Sequence, residues 1–422
     1  MVTKEENQLL TRTGPGTPMG ELFRQFWLPI LLAEELPTPD CPPVRVKILG
    51  ENLVAFRDTA GRVGVLDAYC AHRGASLFWG RNEENGLRCV YHGWKYDVDG
   101  RCVDMPSEPA ESSFKDRIRQ PAYPTREAGG IIWVYMGPPK QVAEMPELEW
   151  TRVPAPHRYV HKRFQACNYL QNVEGEVDSS HVSFLHRRFD APATLAGQQL
   201  LSRSKDSSPR FTATETDYGL LIAARRDWDD ESYYWRITQF LMPSYTMIPS
   251  EPGAPISFTA AVPADDESMW GFTATWRPDR PLSKEDVARI ESWTGIYAEV
   301  APGDYRTVAN RGNNYLIDRE RQRAESFTGI RGIREQDLAV QEDQRGTITD
   351  RTREHLGTSD VGVVAVRQRL LRAVDELQRG QGPPETHNSA AYGVRSAALL
   401  LKRGVYYEQG AKETLVADPS IP

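Results

Sequence analysis

Four side chains that bind metals lie in the stretch CAHRGASLFWGRNEENGLRCVYHGW, which covers residues 70–94. They form two pairs, Cys70 with His72 and Cys89 with His92. A structural zinc site usually takes two cysteines from one short motif and two histidines from another. Here each half of the stretch supplies one cysteine and one histidine. This symmetry favours a centre with two inequivalent irons, one bound by both thiolates and the other by both imidazoles, over zinc.

A second group of potential ligands lies in NYLQNVEGEVDSSHVSFLHRRF, where Glu174, Asp178, His181 and His186 have the spacing E-x3-D-x2-H-x4-H. We interpret this segment as a helix with Glu174, Asp178 and His181 along one face. The two imidazoles then converge only if the helix bends or ends near Ser183. Two histidines and one carboxylate form the facial triad of non-haem iron(II) oxygenases, which leaves positions open for O2 and substrate.

Both motifs resemble those of the Rieske non-haem iron aromatic-ring oxygenases. Cys-Ala-His-Arg-Gly at 70–74 and Cys-Val-Tyr-His-Gly-Trp at 89–94 are similar to the motif that binds the [2Fe–2S] cluster in this family. The resemblance implies that His181 and His186 bind a mononuclear Fe(II). It also implies that Asp178 bridges to His92 of a neighbouring subunit. The cluster ligands it implies are Cys70, His72, Cys89 and His92.

The third ligand of the mononuclear iron must come from a later part of the chain. The predicted helix IREQDLAVQEDQRG offers several acidic residues, and spacing alone does not choose among them. In the family, the ligating aspartate is followed by a glutamate five residues later. Asp337 with Glu342 fits that pattern, and Asp343 is the alternative.

The composition excludes some classes of protein. The chain has 422 residues and a net charge of −7, which is unfavourable for general binding of nucleic acid. No apolar run approaches the roughly 18 residues of a membrane span, and the N-terminus lacks the regions of a signal peptide. We therefore expect a cytoplasmic protein. With only five cysteines, we expect Cys41, Cys102 and Cys167 to be packing thiols rather than parts of a disulfide framework.

The patterns predict an α+β protein in which an N-terminal all-β Rieske domain precedes a larger catalytic domain with an antiparallel sheet and helices. Short β-rich runs separated by turn signals cover about residues 44–137. A proline-rich passage at 136–157 marks the boundary. We expect an N-terminal helical arm at 1–43 that packs on the catalytic domain, a Rieske domain at 44–140 and a catalytic domain at 141–422.

The resemblance extends over nearly the whole chain and is strongest to the phthalate 4,5-dioxygenase-like group. It implies the terminal oxygenase component of an aromatic carboxylate oxygenase, with ring dihydroxylation as the expected reaction. The alternative is O-demethylation or hydroxylation of a methoxylated or substituted aromatic acid. Since the sequence has no G-x-G-x-x-G motif at the start of a helix, we expect a separate NAD(P)H-dependent flavin and iron–sulfur reductase. The family also implies a head-to-tail trimer or a hexamer of stacked trimers.

A carboxylated ring requires cations in its pocket, and arginine pairs with carboxylates through two nitrogens. Arg210 occupies a position that resembles a carboxylate-binding arginine of the family, Arg236 lies in an aromatic β-rich stretch, and Ser183 lies between the iron histidines. We predict that these three residues bind substrate. Two rival classes are a Rieske electron carrier, which lacks the second motif and is shorter, and a colourless zinc-stabilised binding protein.

Overall fold

Short antiparallel strands are the main regular secondary structure in the first 135 residues. The computed structural model describes residues 2–189, 206–250, 252–418 and 421. Two helices come first, α1 (Lys4–Thr11) and α2 (Pro18–Arg24). The strands that follow are β1 (Trp27–Leu32), β2 (Val44–Ile48), β3 (Glu51–Arg57), β4 (Val63–Asp67), β5 (Arg81–Glu83), β6 (Gly86–Arg88), β7 (Lys95–Tyr96), β8 (Cys102–Asp104), β9 (Ala122–Tyr123), β10 (Thr125–Ala128) and β11 (Ile131–Tyr135).

These strands form three antiparallel sheets with the orders β1-β11-β10, β2-β3-β4-β9 and β5-β6-β7-β8. The loop 70–74 leaves the end of β4, and the loop 89–94 connects β6 to β7. Both predicted cluster-binding pairs therefore lie in loops at strand ends, where neighbouring strands hold them in place.

One large antiparallel sheet dominates the rest of the chain. Its strands are β12 (Arg158–Gln165), β13 (Arg210–Thr216), β14 (Gly219–Asp227), β15 (Ser232–Leu241), β16 (Tyr245–Met247), β17 (Ile256–Pro263), β18 (Met269–Trp276) and β19 (Ala397–Lys402). The order is β12-β18-β17-β16-β15-β14-β13, and β19 also pairs with β15. The helices are α3 (Glu149–Arg152), α4 (Tyr169–Val177), α5 (Lys284–Glu291), α6 (Arg319–Ala324), α7 (Ile333–Glu342), α8 (Val361–Gln378) and α9 (Tyr407–Gly410). This architecture confirms the predicted α+β class.

The first two helices pack on the second half of the chain. The Tyr169 hydroxyl on α4 donates a hydrogen bond to the Leu10 carbonyl over 2.8 Å, and the Asn168 amide donates to the Thr11 carbonyl over 2.9 Å. Helices α1 and α2 also contact α8. The N-terminal segment thus supports α4, the helix that leads into the predicted iron-binding motif. In the described part of the chain, no helix combines the length and apolar character needed to cross a membrane.

Candidate metal centres and active site

The structure brings together three side chains that the sequence predicted as ligands of the mononuclear iron. The Nε2 atoms of His181 and His186 lie 3.2 Å apart. The Oδ1 atom of Asp337 lies 3.7 Å from the first of these nitrogens and 3.3 Å from the second. All three ligand atoms fall within 4.8 Å of one another. Two imidazoles and one carboxylate so arranged fit an iron(II) facial triad, although the assignment as ligands remains a prediction.

The predicted helix around these histidines ends earlier than expected. Helix α4 stops at Val177, and Asp178 follows in an extended conformation. The Asp178 carboxylate then accepts a hydrogen bond from the Ser180 backbone amide over 2.6 Å, which closes a turn. The predicted shared helical face of Glu174, Asp178 and His181 was therefore wrong. The turn and the short 3-10 segment His181–Ser183 let the imidazoles converge.

Glu174 has a structural role in place of a solvated or metal-facing one. Its carboxylate accepts hydrogen bonds from Arg351 over 2.8 and 2.9 Å and from Arg367 over 2.7 Å. These arginines lie after α7 and on α8, so the ion pairs fix α4 against the C-terminal half of the chain. Burial opposes ionisation, but the two guanidinium groups hold the pKa of Glu174 below its usual value.

Each predicted iron-binding imidazole has a hydrogen-bond acceptor at its other nitrogen. His181 Nδ1 donates to Asp178 Oδ2 over 3.2 Å. His186 Nδ1 donates to Gln336 Oε1 over 2.8 Å, and the Gln336 amide donates to the Ile330 carbonyl over 2.9 Å. Such acceptors fix the tautomer and leave the Nε2 lone pairs free for a metal.

Asp337 belongs to α7 and lies in a buried charged environment. Burial opposes its ionisation, but His186, Arg334 and His181 together lower the pKa of Asp337 to about 2. It is therefore an anion at neutral pH, as a metal ligand must be. The alternative ligand, Asp343, lies beyond the C-terminal end of α7 with a side chain that is 75% exposed and 3.6 Å from Arg311. It does not belong to the cluster.

Helices α4 and α7 approach each other closely behind these ligands. The Gln341 side chain accepts hydrogen bonds from Gln165 over 2.7 Å and from Asn172 over 3.2 Å, and its carbonyl accepts one from Gln171 over 2.6 Å. A Cβ atom at position 175 would lie 2.3 Å from the Gln341 amide nitrogen. Glycine at 175 therefore leaves room for the Gln341 side chain between the two helices.

The predicted cluster ligands also lie together. Cys70 and Cys89 are buried, and the Nδ1 atoms of His72 and His92 are 3.1 Å apart. Burial raises the pKa of the Cys89 thiol, so a thiolate there needs a cationic partner such as iron. Two buried thiols beside two facing imidazoles fit a [2Fe–2S] cluster with mixed ligands.

Neighbouring side chains hold the two cluster loops in place. The indole of Trp94 stacks on the His72 ring at a centroid distance of 4.3 Å, and the Tyr96 hydroxyl lies 3.1 Å from the Cys70 sulfur. The Gln120 side chain accepts a hydrogen bond from the Ala71 backbone amide over 2.9 Å and donates to carbonyls on the same loop. The expected packing thiols, Cys41, Cys102 and Cys167, are buried and unpaired.

The three predicted substrate residues occupy different environments. The Arg210 side chain is 64% exposed and lies 3.5 Å from Asp227. Arg236 Nε donates a hydrogen bond to the Ser179 hydroxyl over 3.2 Å. Ser183 lies near Arg226, whose Nη2 is 3.4 Å from the Ser183 hydroxyl. Residues 178–186, which carry both histidines, are called the histidine loop below. Ser183 belongs to this loop and Arg236 contacts it, whereas Arg210 faces solvent.

Arg226 and Arg236 form a pair of cations beside this loop. Arg226 is fully buried, and its Nη1 donates to the Ser179 hydroxyl over 3.3 Å. Its Nε is buried without a hydrogen-bond partner. The carboxylates of Asp206 and Asp178 lie near enough to Arg226 to stabilise its charged form. Burial and the neighbouring Arg236 lower the pKa of Arg226 to about 10, so it remains a cation at neutral pH.

A cavity of about 420 Å³ lies next to His186. His186 and Gln336 form part of its wall, and the remaining wall combines apolar side chains such as Ile248 and Ile296 with charged ones such as Arg331. Its volume lies within the range of small-molecule sites. The described residues thus place a cavity next to His186, and an arginine pair next to Ser179 and Ser183.

Comparison with known proteins agrees with this geometry. Residues 26–124 match the model of the Rieske [2Fe-2S] domain, and residues 134–402 match the model described as LigXa C-terminal domain like. The phthalate 4,5-dioxygenase oxygenase subunit of Pseudomonas putida is 40% identical over 407 residues, which cover 92% of this chain and 90% of that protein. The chain belongs to the Rieske non-haem iron oxygenases.

Two further proteins are similar to this Rieske oxygenase. The 3-chlorobenzoate-3,4-dioxygenase oxygenase subunit of Comamonas testosteroni is 37% identical, with 98% of this chain and 99% of that protein covered. The crystal structure of dicamba monooxygenase bound to dicamba has a TM-score of 0.61 at 18% identity and covers 85% of this chain and 99% of that one, so this likeness concerns the fold. The predicted [2Fe–2S] cluster, mononuclear iron and oxidoreductase class are confirmed at the level of the family. As an oxygenase subunit, the Rieske oxygenase requires a separate protein that supplies electrons.

Three residues around the iron site were not predicted from the sequence. Gln336 and Arg334 gave no signal, because both lie on an ordinary amphipathic helix. Arg226 did give one. Alternate residues of β14 share a face of the sheet, and the buried residues Ile222 and Ala224 precede Arg226 on that face. A charged residue at a position that alternation predicts to be buried indicates a functional or ion-paired side chain.

Proposed function

We propose that this Rieske oxygenase dihydroxylates the ring of an aromatic carboxylate of the phthalate type. The observation that carries the choice of substrate is the pair Arg226 and Arg236. Two cations beside Ser179 favour an anionic ligand, because opposite charge stabilises a guanidinium group that is removed from water. The names of the two relatives above, which both denote dioxygenases of aromatic carboxylates, support the same choice.

Each group of side chains has its own role in this proposal. Arg226 and Arg236, with Ser183 beside them, bind the carboxylate and thereby orient the ring. Arg210 would contribute a further contact if it exchanged Asp227 for substrate. The cavity next to His186 would hold the reacting ring against its apolar side chains, such as Ile248 and Ile296. When bound, the mononuclear iron activates O2 and the [2Fe–2S] cluster supplies electrons singly.

We also propose the roles of the metal-binding residues and the assembly around them. His181, His186 and Asp337 bind the mononuclear iron, and Asp178 connects His181 to His92 of a neighbouring subunit. The subunits form a head-to-tail trimer or a hexamer, and a flavin and iron–sulfur reductase delivers electrons from NAD(P)H. The proposed domains are 1–43, 44–140 and 141–422. The proposed cluster ligands are Cys70, His72, Cys89 and His92.

Product analysis tests the reaction. The enzyme is supplied with NADH, O2 and a surrogate reductase, and offered phthalate, isophthalate, terephthalate and methoxylated benzoates. We expect a product with two added hydroxyl groups from a ring dicarboxylate. Formaldehyde and a phenol would show the alternative, O-demethylation, to be correct. The matched control, His181→Ala, should retain the visible absorption of the cluster and yield no product, whereas loss of that absorption would mean that the two metal sites were interchanged.

Substitution of the arginines tests the choice of substrate. Hydrogen bonds to charged groups contribute about 1.5–3 kcal/mol, so Arg226→Met and Arg236→Met should each raise KM for the carboxylated substrate about 10- to 100-fold. The matched control is Arg225→Met, because Arg225 is adjacent on β14 but lies 4.2 Å from the Tyr233 ring instead of contacting Ser179. An equal KM in all three variants would contradict the assignment. Arg210→Met in the same assay decides whether Arg210 contributes.

A further inference from the structure

The two carboxylate oxygens of Asp337 face different partners. Oδ1 faces the histidines, at 3.3 Å from His186 Nε2 and 3.7 Å from His181 Nε2. Oδ2 faces the guanidinium of Arg334, at 3.6 Å from Nη1. The carboxylate is therefore oriented with one oxygen toward the predicted metal position and the other toward a cation.

Arg334 is fixed in that position by partners on two other segments. Its Nη1 donates a hydrogen bond to Glu176 Oε1 over 2.7 Å, and its Nε donates to the Ile296 carbonyl over 3.0 Å. The residue is only 2% exposed. Because the guanidinium is planar and forked, these contacts fix its orientation as well as its position. Arg334 and Asp337 are three residues apart on α7, which places them on one face of the helix.

We propose that Arg334 is a positioning residue that holds Oδ2 of Asp337, so that Asp337 offers the metal only Oδ1. This inference rests on the proposed assignment of His181, His186 and Asp337 as ligands. A carboxylate that binds through one oxygen occupies one coordination position instead of two. Arg334 would thus keep one more position of the facial triad open for O2 and substrate.

If the Arg334–Glu176 pair had only a structural role, a different experimental result would be expected. The pair joins α7 to α4, and its loss would then alter stability without altering how Asp337 meets the metal. The number of oxygens that Asp337 supplies to the metal therefore separates the two roles, whereas activity alone does not.

X-ray absorption at the cobalt edge measures that number. Co(II) is placed in the mononuclear site of the cluster-loaded enzyme, and since the cluster contains iron, the cobalt edge reports only the mononuclear site. Arg334→Met alone leaves Glu176 buried without a partner and risks unfolding, so the variant to compare is Arg334→Met with Glu176→Met. The matched control is Lys162→Met with Glu35→Met, which removes another buried ion pair, one that joins neither α4 nor α7.

We expect one Asp337 oxygen on cobalt in the wild type and in the control. In the Arg334→Met, Glu176→Met variant we expect the shorter distance from metal to carboxylate carbon that binding through two oxygens produces. This distance is the readout, because the second carboxylate oxygen can replace a bound water without changing the number of oxygen neighbours. Two oxygens in the wild type, or one oxygen in all three proteins, would overturn the proposal. A wild type that binds no cobalt, or binds it without two imidazoles, would instead contradict the metal site itself.

Discussion

Each imidazole of the proposed iron site depends on one residue that does not touch the metal. Asp178 accepts the Nδ1 proton of His181, and Gln336 accepts that of His186. The two acceptors differ in charge. A carboxylate makes its imidazole more basic than an amide does, so the two histidines are inequivalent ligands. Asp178, the charged acceptor, is also the residue that we propose faces the neighbouring subunit.

Replacement of the neutral acceptor gives a prediction for a single residue. In Gln336→Met, the acceptor for His186 is lost while the volume is retained, so His186 can rotate or change tautomer. Because loss of such an acceptor typically costs 10- to 100-fold in metal affinity, we expect Fe(II) affinity to fall by about that factor. Fe(II) titration of the cluster-loaded enzyme measures it, with the exposed Gln381→Met as control. Equal affinities in the two variants would show that Gln336 does not orient His186.

The residues that could be predicted from sequence were those with a local signature. Two pairs of one cysteine and one histidine indicated the cluster site, and two histidines after an aspartate indicated the iron site. Asp337 could be chosen only through the resemblance to a family, because several acidic residues fit the same helix. Gln336 and Arg334 could not be predicted, since nothing distinguishes them on an amphipathic helix, whereas Arg226 could have been noticed as a charge on the buried face of β14.

Among the secondary-structure elements, α4 and α7 determine the geometry of the iron site. The first leads into the histidine loop, and the second carries Asp337. Sequence periodicity predicted both helices, but it failed at the end of α4, where turn formation by Asp178 and Ser180 overrides helix propensity. The run Val-Asp-Ser-Ser at 177–180 was the available signal, because aspartate and serine compete for backbone hydrogen bonds.

The buried ion pairs of Glu174 give a prediction for α4. In Glu174→Gln, Arg351 and Arg367 lose their shared anion, and breaking a buried pair typically costs about 3–5 kcal/mol of unfolding free energy. We expect the variant to unfold at a lower urea concentration than the wild type at pH 7. Far-UV circular dichroism measures this unfolding midpoint. Since the pKa of Glu174 is lowered in the folded state, its contribution is complete above the ordinary glutamate value of about 4.3 and is lost as the pH falls through the folded value.

The difference in unfolding free energy between the Glu174→Gln variant and the wild type should therefore shrink when the pH falls below the pKa of Glu174 in the folded state. Glu376→Gln on α8 is the control, because the Glu376 side chain is 36% exposed and lies 3.9 Å from Arg372. Its expected effect is within about 0.5 kcal/mol. A Glu174→Gln variant as stable as this control would show that the ion pairs do not hold α4.

For the whole molecule, the proposed electron path between subunits can be tested by mixing defective chains. Cys89→Ser removes the cluster from one chain, and His181→Ala removes the iron from another, so neither chain is active alone. In a ring assembled at random from equal amounts, a quarter of the junctions join an intact cluster to an intact iron site. We expect co-expression of the two variants to restore about a quarter of the wild-type turnover. This restored activity requires electron transfer from one chain to another.

The experiment has one control and one result that would contradict the proposed path. The same variants purified separately and then mixed without exchange of subunits should remain inactive. Absence of activity after co-expression, in assemblies shown by mass to contain both chains, would contradict transfer between subunits.

The histidine loop and Asp337 come from distant parts of the chain, as the 150-residue separation of His186 and Gln336 illustrates. An ion bound between them acts as a removable cross-link, and its binding free energy adds to the stability of the folded catalytic half. The cell's supply of iron would then control how long this enzyme survives as well as how fast it works. A subunit without iron would be more accessible to proteases, so idle oxygenase would be cleared first.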